Sequence, residues 1–148
     1  MRTAVHRTPR TVEGKLSLPG RSTSPYFARA FASDVLSGLA PPATIETVRL
    51  VVSEIVSNSV EHAASSVELS VRADRAMVHV EARDGSRVMP KRRAAHRPDD
   101  ENGRGLALLD VLCERHGARP TEDGKVVWCD IATTPAVPDV PSERRLPR

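Results

Sequence analysis

Between Thr44 and Ala63, apolar residues recur at Ile45, Val48, Val52, Ile55, Val56, Val60 and Ala63. Steps of three and four predict a helix with one buried stripe. A helix of this length must lay that stripe on a sheet or on other helices, so it constrains the fold more than any other segment. The same stretch carries Glu54, Asn58 and His62, each one turn beyond the last and hence in one row. A polar stripe facing solvent would account for the row. So would a site, because a carboxylate and an amide set among Val and Ile need a reason.

The remaining elements follow from shorter patterns. Lys15 to Leu18 reads as a short strand that stops at Pro19-Gly20. Ser22, Thr23 or Ser24 then caps a helix with Pro25 in its first turn. Phe27, Ala30, Phe31, Val35 and Leu39 give that helix its apolar rhythm, and Gly38 and Pro41-Pro42 end it. Val67, Leu69 and Val71 alternate with polar residues, as do Val78, Val80 and Ala82, so a hairpin turning at Asp74-Arg75 is expected. From Gly85 to Asn102 there is no periodicity, which suits a lid or a disordered loop. A third helix is expected from near Arg104 to His116-Gly117. A last hairpin turns at Glu122-Asp123-Gly124, with Val126, Val127, Trp128 and Ile131 in its closing strand.

Composition narrows the class. With 148 residues, 39% of them hydrophobic and 3% aromatic, the chain has one modest aliphatic core and reads as one domain. No apolar run reaches the length of a membrane span, and MRTAVHRTPR has no apolar stretch behind it, unlike a secretory signal. The net charge of +3 sits in the ends. Setting aside six basic and two acidic residues in 1–12 and 133–148 leaves 16 basic and 17 acidic. No aromatics interleave with the charges to stack bases, so direct nucleic-acid binding is not expected. Cys113 and Cys129 lack metal-ligand spacing and read as a reduced cytoplasmic pair. The expected organisation is a flexible tail over 1–12, a folded domain over 13–132, and a disordered Pro-rich tail over 133–148.

Two further pieces carry chemistry. Asp84-Gly85 ends a strand, where a carboxylate can either bind an amino group on a base ring or merely make a turn. Gly103-Arg104-Gly105-Leu106 lies where the lid meets the third helix, a place for phosphate against free backbone N–H groups. The lid leading there holds Arg87, Lys91, Arg92, Arg93, Arg97 and Arg104 against Asp99, Asp100 and Glu101. A dinucleotide fingerprint fails, since Leu108 stands where its third glycine belongs, and a Walker A loop fails at Val126.

In order and spacing, LVVSEIVSNSVEHA, VHVEARDG, NGRGLALLDVL and GKVVW resemble the histidine-kinase-like ATPase superfamily (GHKL, the Bergerat fold) over roughly residues 14–132. The likeness is nearest to its stand-alone branch, the anti-sigma-factor serine/threonine kinases and similar small actinobacterial ATP-binding regulatory proteins. The resemblance implies an α+β, two-layer sandwich. Its sheet would be mixed and mostly antiparallel, with three main helices on one face and a long ATP lid. It implies ATP and Mg2+ as cofactors. Asn58 would hold the metal, Glu54 would be the general base, and Asp84 would receive the adenine amino group. Ser86 belongs to the first glycine box, Met89 would line the adenine pocket, and Gly103, Arg104, Gly105 and Leu106 would close on the phosphates.

The partners implied are an anti-anti-sigma-type protein, phosphorylated on a serine, and a sigma factor, in a cytoplasmic regulator of transcription with no membrane contact. A homodimer is compatible with the resemblance. The alternative is a nucleotide-binding interaction module without kinase activity. The sequence departs from the pattern at the first box, where Asp84-Gly85-Ser86-Arg87-Val88 puts Ser and Val in place of two glycines. It also has Asn58-Ser59 for Asn-Ala, and Val126 where a Thr contacting adenine through water is common.

Overall fold

A computed structural model describes residues 2–8, 10–62, 65–89 and 101–133, with only the backbone of 101–106. Its elements are β1 (Thr3–Arg7), β2 (Val12–Leu18), α1 (Ser24–Leu36), α2 (Pro42–His62), β3 (Val67–Ala73), β4 (Met77–Asp84), α3 (Glu101–Leu112), β5 (Arg115–Pro120) and β6 (Lys125–Ala132). The six strands form one sheet in the order β1-β2-β3-β4-β6-β5. Among the described residues every neighbouring pair is antiparallel, where the resemblance implied a mixed, mostly antiparallel sheet.

Alternation along the strands builds the core. Val12, Leu16 and Leu18 of β2, Val67, Leu69 and Val71 of β3, and Val78, Val80 and Ala82 of β4 are buried on the face that carries the helices. Against them α2 lays Val48, Val51, Val52, Ile55 and Val56, and α1 lays Ala28, Phe31, Ala32, Val35 and Leu36. Each fully buried Val, Leu or Ile contributes about 1.5–3 kcal/mol. Gly14 lets α1 come close to β2: a Cβ there would stand 2.6 Å from Val35 Cγ2 and 2.8 Å from Phe31 Cζ. Two arginines tie the helices together, Arg29 donating to Ser53 Oγ at 2.8 Å and Arg49 to Ser33 Oγ at 2.7 Å.

The opposite face of the sheet is charged rather than apolar. His79 lies between Asp130 (Nδ1 to Oδ1, 2.5 Å) and Glu81 (Nε2 to Oε1, 3.0 Å) and stacks on Trp128. Arg115 reaches Asp130 at 3.1 Å, and Arg119 reaches Glu81 at 3.2 Å. Burial pushes the Glu81 carboxyl up, but His79 and Arg119 together outweigh it and hold the group below its ordinary range.

Several expectations need correction. Residues 3–7 form a strand rather than part of a loose tail, because β2 starts at Val12 and offers an edge that runs from Thr3 opposite Leu16 to Arg7 opposite Val12. Arg7 also donates to the Asp34 carbonyl at 2.6 Å, holding the strand to α1. In α1, Phe27 is 42% exposed and Ala30 is exposed, while Ala28 and Ala32 are buried, so the stripe is turned by one residue. Gly38 adopts φ +82° just past the helix, where a left-handed residue is best supplied by glycine.

The third helix runs from Glu101 to Leu112, not from Arg104 to His116-Gly117. His116 and Gly117 instead belong to β5, captured by pairing with Cys129 and Trp128. The lid residues 90–100, Ala63 and the Pro-rich end from 134 onward lie outside the described residues. Thr133, expected in that tail, is buried: its carbonyl accepts from Thr44 Oγ1 at 2.5 Å and its hydroxyl donates to the Arg75 carbonyl.

Candidate nucleotide-binding site

The long helix α2 presents two faces with different work. Ile55, Val56 and Ser59 are buried toward the sheet, whereas Glu54 and Asn58 are half-buried on the adjoining side. The two are one turn apart, as their spacing predicts, and neither has a hydrogen-bond or ion-pair partner among the described residues. His62, the next in the row, ends the helix and is exposed. Among the described residues no three His, Cys, Asp or Glu side chains cluster to hold a metal. A hard cation here would therefore rely on the Asn58 amide oxygen together with phosphate and water, the mixed shell Mg2+ ordinarily accepts.

Asp84 is the last residue of β4, and the strand's alternation carries its side chain to the helix side, where it is buried. Its Oδ1 accepts from the Ser86 backbone N–H at 2.9 Å and from Lys125 Nζ at 3.1 Å. Nζ is also 3.1 Å from Oδ2, yet Oδ2 makes no hydrogen bond and is buried. A buried carboxylate oxygen without a donor is costly unless a ligand supplies one. An exocyclic amino group on a base is one such donor.

Register explains the lysine. Asp84 faces Lys125 directly across β4 and β6, and Arg83 faces Val126. Side chains on one strand alternate between faces. Val126, the position where a Thr is common in the resembling proteins, therefore lies on the far face, and Lys125 occupies the Asp84 side. Lys125 was missed in the sequence because only pairing reveals its neighbour; its one signal is that it is among three lysines in an arginine-rich chain.

The turn after Asp84 is tightly held. Gly85 N donates to Ser65 Oγ at 3.1 Å, Ser86 Oγ accepts from Val88 N at 3.2 Å, and Arg87 reaches the Glu122 carbonyl at 3.0 Å. Ser86 is buried, Val88 is exposed and Met89 is half-buried. Where two glycines would leave a loose hinge, this chain has a pinned turn. The backbone of Gly103, Arg104, Gly105 and Leu106 lies inside α3, within its first two turns, rather than in a turn ahead of it. Leu109 anchors that helix in the core.

Among the described residues, an antiparallel sheet backed by three helices, with a buried carboxylate at the end of β4 and a half-buried Asn on the long helix, forms an α+β domain. The chain belongs to the histidine kinase-like ATPase domain family, which matches residues 21–131, from just ahead of α1 to the end of β6. No curated protein matches the chain. Among the described residues no helix is long and apolar enough to cross a membrane.

Proposed function

We propose that this protein is an ATP- and Mg2+-dependent serine/threonine protein kinase that acts as an anti-sigma-type switch. Its substrate would be a serine on a small anti-anti-sigma-type protein, and a sigma factor would be its second partner. The observation that carries the reading is Glu54 standing one turn from Asn58, both half-buried and both without a partner among the described residues. A carboxylate kept at that place suits a general base better than a structural role, since it holds nothing together.

In this scheme Asp84 seats the base, Asn58 holds the metal, and Gly103, Arg104, Gly105 and Leu106 meet the phosphates. Met89 borders the base. The metal supplies charge neutralisation on the phosphates. Glu54 takes the proton of the attacking serine hydroxyl as the new O–P bond forms and the bond to the leaving ADP oxygen breaks.

The pinned turn at Ser86 favours a second reading, an ATP-binding interaction module without transfer activity, because Ser86 and Val88 stand where two glycines would supply a hinge. Incubation with labelled ATP, Mg2+ and a serine-bearing anti-anti-sigma-type protein separates the two. Transfer that disappears in Glu54→Gln supports the kinase. ATP binding without transfer in the intact protein supports the module.

A further inference from the structure

We infer that Cys113 and Cys129 are a peroxide-sensitive thiol pair that closes reversibly into a disulfide between the end of α3 and strand β6. The inference stands apart from the nucleotide-site reading and adds a modification site to the chain.

The chain has two cysteines, and the proposed phosphoryl transfer uses neither. Cys113 directly follows α3, where its N–H donates to the Leu109 carbonyl at 3.0 Å. Cys129 lies in β6, opposite Val80 of β4 and His116 of β5, and is fully buried. One residue further along each segment the backbones are joined, Glu114 N donating to the Asp130 carbonyl at 2.8 Å. Cys113 packs on the core cluster to which Cys129 belongs, and the two thiols are hydrogen-bonded to each other. Sulfurs in such contact need only a small approach to reach the S–S bond length of about 2.05 Å.

The pair is asymmetric in the way redox chemistry needs. Cys113 is half-buried and so open to a small oxidant, while Cys129 is enclosed. The S–H that Cys129 donates holds the Cys113 thiol below its ordinary value of 9.0, against burial and the carboxylates of Asp130 and Asp110. Donation to Cys113 first, and burial second, push the Cys129 thiol well above that value, so it keeps its proton. Cys113 is therefore the attacking sulfur and Cys129 the resolving one.

The oxidant is hydrogen peroxide. The Cys113 thiolate attacks one peroxide oxygen, the O–O bond breaks, and the departing hydroxide takes the proton that Cys113 gave up and leaves as water. Cys113 is now a sulfenic acid. The Cys129 sulfur attacks it, the S–O bond breaks, and the Cys129 proton leaves with that hydroxide as a second water. Two thiols are oxidised to one disulfide and one peroxide is reduced to two waters. A small dithiol reverses the bond by exchange.

The test treats the reduced, desalted full chain with hydrogen peroxide, alkylates the thiols that remain and maps the peptides by mass spectrometry. Expected are loss of both thiols into one intramolecular Cys113–Cys129 bond and their return with dithiothreitol. Cys129→Ala should stop at a Cys113 sulfenic acid, trapped by dimedone, and in Cys113→Ser the Cys129 thiol should stay reduced. Circular dichroism checks that each variant folds. If neither does, the peptide map of the intact protein decides.

An intact protein that keeps both thiols at peroxide levels that oxidise free cysteine overturns the inference. So does Cys113 passing to sulfinic acid with no bond to Cys129, or a Cys113–Cys113 bond between two chains. A disulfide that forms no faster in the folded chain than in urea overturns it as well, because chance collision rather than the built contact would then make the bond.

Discussion

A Cβ on Gly124 would stand 1.9 Å from the backbone carbonyl oxygen of Asp84. The turn that starts β6 is thus pressed against the end of the neighbouring strand β4, and the place of the Asp84 carboxylate depends on the absence of a side chain at Gly124. Gly124→Ala must push β4 and β6 apart. It should cost at least about 3 kcal/mol, at the upper end of single-substitution effects. Urea unfolding would measure it; a loss under about 1 kcal/mol would mean that the turn yields easily.

Asp84 and Lys125 neutralise each other out of water. Asp84→Ala leaves a buried ammonium without its counterion, which should destabilise the protein by about 3–5 kcal/mol. Asp84→Asn keeps the shape and should cost less, yet both should lose the thermal shift that ATP produces. Differential scanning calorimetry with and without Mg-ATP reads both effects. An ATP shift retained in the Asn variant would detach Asp84 from the base.

Glu54 and Asn58 are half-buried and hold no described neighbour, so their substitution should spare the fold. Asn58→Ala should leave the unfolding midpoint of the free protein nearly unchanged and cut the stabilisation by Mg-ATP. In the intact protein that stabilisation should reach about 2.7 kcal/mol at a hundred times the dissociation constant. Glu54→Gln should keep the full nucleotide stabilisation and lose phosphoryl transfer. A Glu54→Gln protein that still transfers phosphate would remove the general base from this position.

Asp74 closes the β3–β4 hairpin by accepting from the backbone N–H groups of Ala76 at 2.7 Å and Met77 at 2.8 Å. These bonds favour the ionised form and hold the carboxyl below its ordinary value of 3.8. The folded state therefore binds fewer protons than the unfolded one. The resulting stabilisation is complete above the unfolded value and is lost as the pH falls through the lower folded value. Asp74→Ala should flatten the acid limb of the stability curve below about pH 4 and change little in its slope above pH 6. Equal acid sensitivity in both proteins would show that the hairpin owes nothing to this charge.

The strongest readings in the sequence were those with a period. The α2 stripe, the β3–β4 hairpin and the turn at Glu122-Asp123-Gly124 are where alternation and turn chemistry place them, because burial on one face repeats at the pitch of the element. The weaker readings were set by partners far away in the chain. β1 has no buried residue, so nothing in its pattern marks it; the open edge of β2 makes it a strand. Residues His116 and Gly117 continue a helical stretch in sequence and yet pair with β6.

The site divides in the same way. Glu54, Asn58 and Asp84 were legible because a polar residue in an apolar pattern stands out locally, and the Glu54–Asn58 relationship is a property of one helix. Lys125, the donor at Asp84, was not, since its partner is 41 residues away and is chosen by strand register. Periodicity and turn residues, which act within a few residues, determined the elements and their inner faces. Which strands lie side by side, and therefore which charges share a buried space, was decided by the tertiary structure alone, through hydrogen-bonded pairing between segments that carry no local record of one another.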